Sequence, residues 1–188
     1  MNIELDLITA CVNRERKSEY KLYKMTYSYL MSICFRYGHT NSGERAQEMV
    51  NIGFLKILNN LDKYRPEIPF KTWIRKVMIN ILIDEFRKEK QHKKHLNYME
   101  NYQESSSYSE ANNAVTQMNV DQIHALIQQL PPASQKVFNL FVIDGYGHKE
   151  IADMLDISEG TSKWHLNFSR NKLKELLEKI NSPINVAY

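Results

Sequence analysis

Three stretches of this sequence combine residue types and spacings suited to nucleic acid. The first is FRKEKQHKKH at 86–95, whose five Lys or Arg and two His would meet a phosphate backbone with dense positive charge. Just before it, Trp73, Lys76, Asn80, Asp84 and Arg87 recur at steps of three and four, with Lys88 alongside. On a helix they form one strip that sets a flat aromatic among cations and an amide. The third stretch lies at 158–174. At about 100° per residue, Gly160, Trp164, Asn167, Phe168 and Asn171 point one way, and Ser162, Leu166, Ser169, Leu173 and Leu177 point the other. Lys163, Lys172 and Lys174 flank the first of these faces. Asn167 carries the amide that pairs with adenine, Lys163 the donors that suit guanine, and the aromatics fit thymine methyls or the sugar backbone. Large apolar side chains left in water need a cover, so packing of Trp164 and Phe168 against another module or a partner protein stands as the bland alternative.

The elements that must position these residues read as helices. One is expected from Glu19 to Tyr37, with Tyr20, Tyr23, Tyr27, Leu30 and Cys34 inward, ended by Gly38 and the HTNSG loop. A second spans about Gly43 to Leu61, with Ala46, Val50, Phe54, Ile57 and Leu61 on one stripe, and DKYRPEIP breaks it through Pro66 and Pro69. The loop 62–69 leads into a third helix, Phe70 to about Lys90, packed through Ile74, Val77, Met78 and Ile81, with Glu85 on the same side. Residues 96–117 combine Ser, Asn, Gln and Glu with scattered Tyr and read as a flexible linker. Beyond it, NVDQIHALIQQL is closed by Pro131 and Pro132, and a helix from about Ala133 to Ile143 carries Val137, Leu140 and Phe141 inward. Gly145 and Gly147 mark a turn. HKEIADML, the turn DIS and a helix opened by Ser158 as N-cap, with Glu159 at the favourable end of the dipole, spell a helix-turn-helix from Lys149 to Lys174. The expected fold is all-α, with one module over 1–95 and another over 118–188.

Composition narrows the function classes. The chain has 188 residues but only 6 Gly and 5 Pro, which favours long helices over strands and turns. Its formal charge of +3 is unevenly spread, since residues 1–95 hold 18 Lys and Arg against 11 Asp and Glu, while residues 118–188 hold 7 against 8. A polyanion partner for the first half follows, with a solvated basic face as the alternative. Cys11 and Cys34 form no C-x-x-C pair, so neither a disulfide framework nor a zinc site is indicated. No metal or cofactor is expected. The N-terminus lacks a signal-peptide pattern, no apolar run reaches about 18 residues, and a cytoplasmic protein without membrane insertion is expected. No G-x-x-x-x-G-K, H-E-x-x-H or G-x-S-x-G occurs, and the adjacent Asp84 and Glu85 diverge on a helix, so an enzyme is not expected.

Two segments resemble the sigma-70 family of RNA polymerase subunits, in particular its extracytoplasmic-function (group IV) type. AQEMVNIGFLKILNNLDKYRPEIPFKTWIRKVMINILIDEFRK is similar to the family's region 2, and LPPASQKVFNLFVIDGYGHKEIADMLDISEGTSKWHLNFSRNKLKELL to its region 4. The resemblance implies a factor that binds core RNA polymerase and directs promoter recognition and DNA melting. It places Glu48, Asn51, Phe54, Leu55 and Leu58 on the clamp helices of the largest subunit, with a further contact to the flap. Trp73, Lys76, Asn80, Asp84, Arg87 and Lys88 would handle the −10 element, and the loop 62–69 would capture an unstacked base of the non-template strand. Thr161, Lys163, Trp164, Asn167, Phe168, Arg170 and Asn171 would read the −35 element, while His148, Lys149, Lys172 and Lys174 would contact its backbone. An anti-sigma factor is an implied further partner. Asn51 and Ile52 stand where many relatives have Gln and an acidic residue, and Phe168-Ser169-Arg170 stands where Arg-Ala-Arg is frequent.

A stand-alone helix-turn-helix regulator is the alternative reading, although the first half shows neither a Gly-rich loop nor an acidic phosphoacceptor cluster. An RNA-binding bundle using residues 86–95, with the second module as a dimerisation element, is a third. The charge distribution supplies a test, because affinity for a phosphate backbone comes largely from cations that release counterions. The segment 118–188 in isolation is expected to bind a −35 duplex far more weakly than the holoenzyme, in which tethering raises its effective concentration. Equal affinities in a titration at matched salt would refute this.

Overall fold

The computed structural model describes residues 3–38, 43–97 and 120–181. These form eight α-helices and no strand: α1 (Leu5–Val12), α2 (Arg16–Tyr37), α3 (Gly43–Leu58), α4 (Phe70–Asn97), α5 (Val120–Gln128), α6 (Pro132–Phe138), α7 (His148–Leu155) and α8 (Glu159–Asn181). A 3-10 turn (Leu61–Lys63) follows α3, and a π-helical turn (Asn139–Ile143) follows α6. The chain divides into two compact units, Met1–Lys90 and Gln91–Tyr188. The linker expected at 96–117 and the HTNSG loop lie outside the described residues, apart from 96, 97 and 43 at their edges.

In the first unit α1 packs on α2 and on the 3-10 turn, and α2 packs on α3. The short α1, which no sequence pattern announced, buries Leu7, Ile8 and Cys11. Arg14, at φ 62°, turns the chain from α1 into α2, and its guanidinium donates to Asn59 Oδ1 at 2.9 Å. The α3 stripe is buried as its spacing implied: Ala46, Val50, Phe54 and Ile57, with Leu61 in the following turn. In α2 the buried face differs from the expected one. Tyr20 is 64% exposed and Tyr23 and Tyr27 are half-buried, while Leu22, Thr26, Ile33 and Tyr37 line the core together with Leu30 and Cys34, the two expected there. Thr26 tolerates burial because its hydroxyl donates to the Leu22 carbonyl at 2.9 Å, and tyrosines tolerate the surface because their hydroxyls stay hydrated. Burial also holds the Cys34 thiol up at about 12 and the Cys11 thiol at about 11, so both stay protonated at neutral pH.

Helix α4 is buried over a wide arc, through Ile74, Met78, Ile79, Ile81, Leu82 and Ile83, with Val77 only half-buried. It continues to Asn97, beyond the Lys90 end expected from its apolar stripe, through a polar tail whose lysines sit at the helix C-terminus, where cations are favoured. Two contacts fix α3 against α4. Gly53 faces Met78, leaving no room for a Cβ against its Sδ, and Arg45 at the start of α3 bridges Glu85 of α4 as well as Glu48. Lys71 of α4 caps the ring of Tyr29 in α2 at 4.6 Å.

The second unit gathers α5, α6 and α7 against α8. Its core is Leu126, Ile127, Leu130, Val137, Leu140, Ile151, Leu155 and Leu166. The helix expected from Ala133 to Ile143 is instead an α-helix from Pro132 to Phe138 that widens into the π-helical turn, where Asp144 N–H reaches the Asn139 carbonyl at 3.0 Å. Hydrophobic spacing does not distinguish a wide turn from an ordinary one.

Gly53→Ala provides a test of the α3–α4 contact. Overpacking against Met78 is expected to cost about 1–3 kcal/mol, read as a lower urea midpoint. An unchanged midpoint would show that Met78 swings aside at no cost.

Candidate nucleic-acid and polymerase interfaces

The turn that makes the helix-turn-helix is built from local chemistry. The Glu150 carboxylate accepts from Gly147 N–H at 2.8 Å and caps the start of α7. At the other end Asp156 takes the left-handed conformation, φ 53° and ψ 57°, which a short polar side chain tolerates and which reverses the chain within three residues. Ser158 Oγ then accepts from Thr161 N–H at 3.0 Å, the N-cap expected from the sequence. The Thr161 hydroxyl is itself engaged with Ser158 Oγ at 2.8 Å, so Thr161 belongs to the cap as much as to the outer face.

Helix α8 sits on its neighbours through small residues. Ser162 and Ser169 are fully buried and Leu166 is nearly so, as the two-face reading required, whereas Leu173 and Leu177 are half-buried. Ser169 Oγ donates to the Ser134 carbonyl at 3.1 Å, and Ser134 Oγ meets His165 Nδ1 at 2.9 Å, joining α6 to α8. Ser162 Oγ meets His148 Nδ1 at 3.0 Å, joining α7 to α8. His148 also stacks on Phe141, with ring centroids 4.5 Å apart and planes 24° apart. It is half-buried and serves as a strut within the fold, a placement that sequence spacing does not disclose.

Trp164, Lys163, Asn167, Arg170 and Asn171 are exposed on α8, and Phe168 is half-buried. Trp164 and Phe168 stack on each other, with centroids 5.4 Å and planes 20° apart. The lysines expected to flank this face each have a carboxylate partner on the same helix. Lys163 meets Glu159 at 2.7 Å, Lys172 meets Glu175 at 3.2 Å and Lys174 meets Glu178 at 3.9 Å. The hydrogen bond and charge of Lys163 hold the Glu159 carboxyl below its ordinary value. Glu159 thus serves both the helix dipole and Lys163, whose side chain it reaches through i,i+4 spacing. Lys149 is exposed on α7.

In the first unit, Lys76, Asn80, Asp84 and Lys88 are exposed along α4, while Trp73 and Arg87 are half-buried. Trp73 belongs to an aromatic cluster that the sequence reading did not identify. The Tyr64 ring meets Phe70 at 5.1 Å and Trp73 at 5.4 Å, and its hydroxyl donates to the Ile68 carbonyl at 2.8 Å. The loop 62–69 is thereby folded onto the start of α4. Tyr64 lies in a Pro-bounded loop, where helical periodicity carries no information about it.

On α3, Glu48, Asn51, Ile52 and Leu55 are exposed and share one face, with Leu58 half-buried. Leu55 is 58% exposed. Phe54 departs from this group. It is 8% exposed and turned into the core, edge-on to Tyr23 at 4.9 Å, because its stripe is the packing stripe of the helix. The Tyr23 hydroxyl donates to Asn51 Oδ1 at 2.9 Å, and Glu48 pairs with Arg45 at 2.7 Å, so two polar members of the outer face are held from within the protein. Among the described residues no group of three or more His, Cys, Asp or Glu could hold a metal ion, and no helix is long and apolar enough to cross a membrane.

An all-α chain that pairs a helix-turn-helix with a separate unit bearing a cationic and aromatic helix has the form of a two-part DNA-binding protein. Residues 22–92 match the family model for sigma-70 region 2, and residues 120–173 match that for sigma-70, region 4. The chain belongs to the sigma-70 family of RNA polymerase sigma factors. It is similar to RNA polymerase sigma factor SigZ of Bacillus subtilis, 27% identical over 138 residues that cover 73% of this chain and 76% of that one. It is also similar to the ECF RNA polymerase sigma-E factor of Escherichia coli, 23% identical over 184 residues that cover 89% of this chain and 95% of that one. Its fold is like that of the sigma factor RpoE solved in complex with the anti-sigma factor NepR from Bartonella quintana. That likeness has a TM-score of 0.50 at 17% identity and covers 87% of this chain and 98% of that one.

The N-cap offers a direct check on the turn. Ser158→Ala removes the oxygen that receives Thr161 N–H and is expected to lower stability by about 1 kcal/mol, visible as a lower thermal midpoint. An unchanged midpoint would mean that water serves the amide equally well.

Proposed function

We propose that the two units divide the work of a sigma factor: the first holds core RNA polymerase and the −10 element, and the second reads the −35 element. The observation that carries this reading is the occurrence of a region 2 match and a region 4 match in that order on one chain, each on a unit with a nucleic-acid-suited surface. As a sigma factor the chain directs transcription initiation by core RNA polymerase.

In the first unit, Lys76, Arg87 and Lys88 draw in the DNA backbone, Asn80 and Asp84 supply hydrogen-bonding groups, and Trp73 offers a stacking surface for a base of the opened strand. Stacking a base on an aromatic ring is worth about 1–3 kcal/mol, comparable with the few kcal/mol needed to unstack it. The Tyr64 contacts hold the 62–69 loop beside that ring before the DNA opens. On α3, Glu48, Asn51, Leu55 and Leu58, together with Ile52, form the face offered to the clamp helices of the polymerase, and Phe54 supports it from the core. The solved relative is bound to an anti-sigma factor. A partner of that kind for this chain fits the same reading, with the apolar Ile52 and Leu55 as its contact.

In the second unit, α8 enters a major groove that accepts one helix, presenting Lys163 and Asn167 to base edges. Arg170, Asn171, Lys149, Lys172 and Lys174 approach phosphates, while His148 and Thr161 hold the turn. The lysines must exchange their carboxylate partners for phosphates, which limits the affinity of this unit alone. The action belongs where polymerase and chromosomal DNA are, in the cytoplasm.

Run-off transcription with purified core polymerase on fragments of the source genome tests the central reading. Added protein should start discrete transcripts, and no stimulation where a known sigma factor works would refute it. Lys163→Ala should weaken upstream promoter binding by about 1–3 kcal/mol. Trp73→Ala should spare closed-complex binding and impair melting, read by permanganate reactivity of unpaired thymines. The reverse pattern would exchange the roles of the units.

A further inference from the structure

The stacked Trp164–Phe168 pair has no counterpart in ordinary hydrogen-bonded readout. Both residues lie on the outer side of the first half of α8, one turn apart, and their parallel rings make a continuous apolar surface. Trp164 is 59% exposed, an unusual state for the largest side chain on a face otherwise made of Gly160, Asn167 and Asn171 and flanked by Lys163. Its orientation is held in advance. The ring stacks on Phe168 and also meets His165 edge-on at 5.0 Å and 73°, and His165 Nδ1 meets Ser134 Oγ. A surface that is already rigid loses little conformational freedom when it is covered.

Resting on the reading that α8 enters a major groove, we propose that Trp164 and Phe168 form an apolar plate that recognises thymine through its C5-methyl group. The occupant follows from the chemistry around the plate. Exposed Lys163 and Arg170 on the same helix and exposed Lys149 on α7 give this helix-turn-helix positive charge, which suits a phosphate-lined groove and opposes burial in an apolar protein cleft. Within the major groove thymine alone presents an apolar group on its edge, since the other bases offer only donors and acceptors there. The plate has no acceptor, and its indole N–H is a single donor, so it cannot form the paired hydrogen bonds that identify adenine or guanine. Glu159 partly neutralises Lys163 beside it, which leaves apolar contact a larger share of the discrimination.

The test uses holoenzyme assembled from core polymerase and the full chain, on a promoter obtained by run-off transcription. Each thymine of the upstream footprint is replaced singly by deoxyuridine, which removes the methyl and leaves every hydrogen-bonding group in place. At one or two positions the replacement should weaken binding about fourfold, the transfer value of one buried carbon group. With Trp164→Ala or Phe168→Ala the same replacement should have no further effect, as a double-mutant cycle requires for a direct contact. An upstream footprint that persists while every deoxyuridine duplex binds normally would overturn the plate and leave the groove reading intact. A methyl effect of unchanged size in both variants would assign it to another side chain, and absence of any upstream footprint would overturn plate and groove reading together. Loss of a co-purifying protein in Trp164→Ala, with promoter binding unaltered, would identify the plate as a protein contact and overturn the proposal.

Discussion

Ser162 and Ser169 are buried and small, and their size sets how closely α8 lies on α7 and α6. A larger side chain at either position would lift the helix and break the hydrogen bonds from Ser162 to His148 and from Ser169 to the Ser134 carbonyl. A buried hydroxyl without a partner is costly, so the Ser162–His148 bond fixes the rotation of α8 as well as its distance, while the Ser169 hydroxyl also has the His165 carbonyl of its own helix at 2.8 Å. Leu166 between them adds apolar burial. Once the inner face is fixed, the outer face has no freedom left, and Trp164, Asn167 and Asn171 must stand outward.

The first unit meets the same demand with different contacts. Gly53 lets α3 approach Met78, and Arg45 ties α3 to Glu85 at the start of the polar end of α4. Burial of Ile74, Met78, Ile79, Ile81, Leu82 and Ile83 leaves only a narrow strip of α4 exposed, and that strip carries Lys76, Asn80 and Asp84. The Tyr64, Phe70 and Trp73 rings extend the core beneath the 62–69 loop, so a surface loop acquires a defined path from apolar contact.

Charge explains why neither surface is simply a basic patch. The lysines of α8 are balanced by Glu159, Glu175 and Glu178 at i±3 and i±4 positions, which supports the helix but gives the DNA few unpartnered cations. Exposed pairs of this kind contribute little to stability, roughly 0–1 kcal/mol, and exchange readily for a phosphate. Such a surface suits recognition that is local and conditional on tethering.

The longer helices α2, α3, α4 and α8, the two-face character of the last three, the N-cap at Ser158 and the family are legible along the chain, because periodicity, capping and motif order are properties of neighbouring residues, whereas α1 and the π-helical turn leave no such trace. Tertiary structure decided what depends on contacts between distant residues. It turned α2 so that Leu22 and Thr26 are buried and Tyr20 is not, since two stripes with similar spacing share Leu30 and Cys34 and only the packing of α1 and α3 selects between them. It set His148 between Phe141 and Ser162 and folded Tyr64 onto Trp73. It also stacked Trp164 on Phe168 in an exposed position. The i,i+4 spacing permits that contact, but the buried serines on the opposite face make it an outward one.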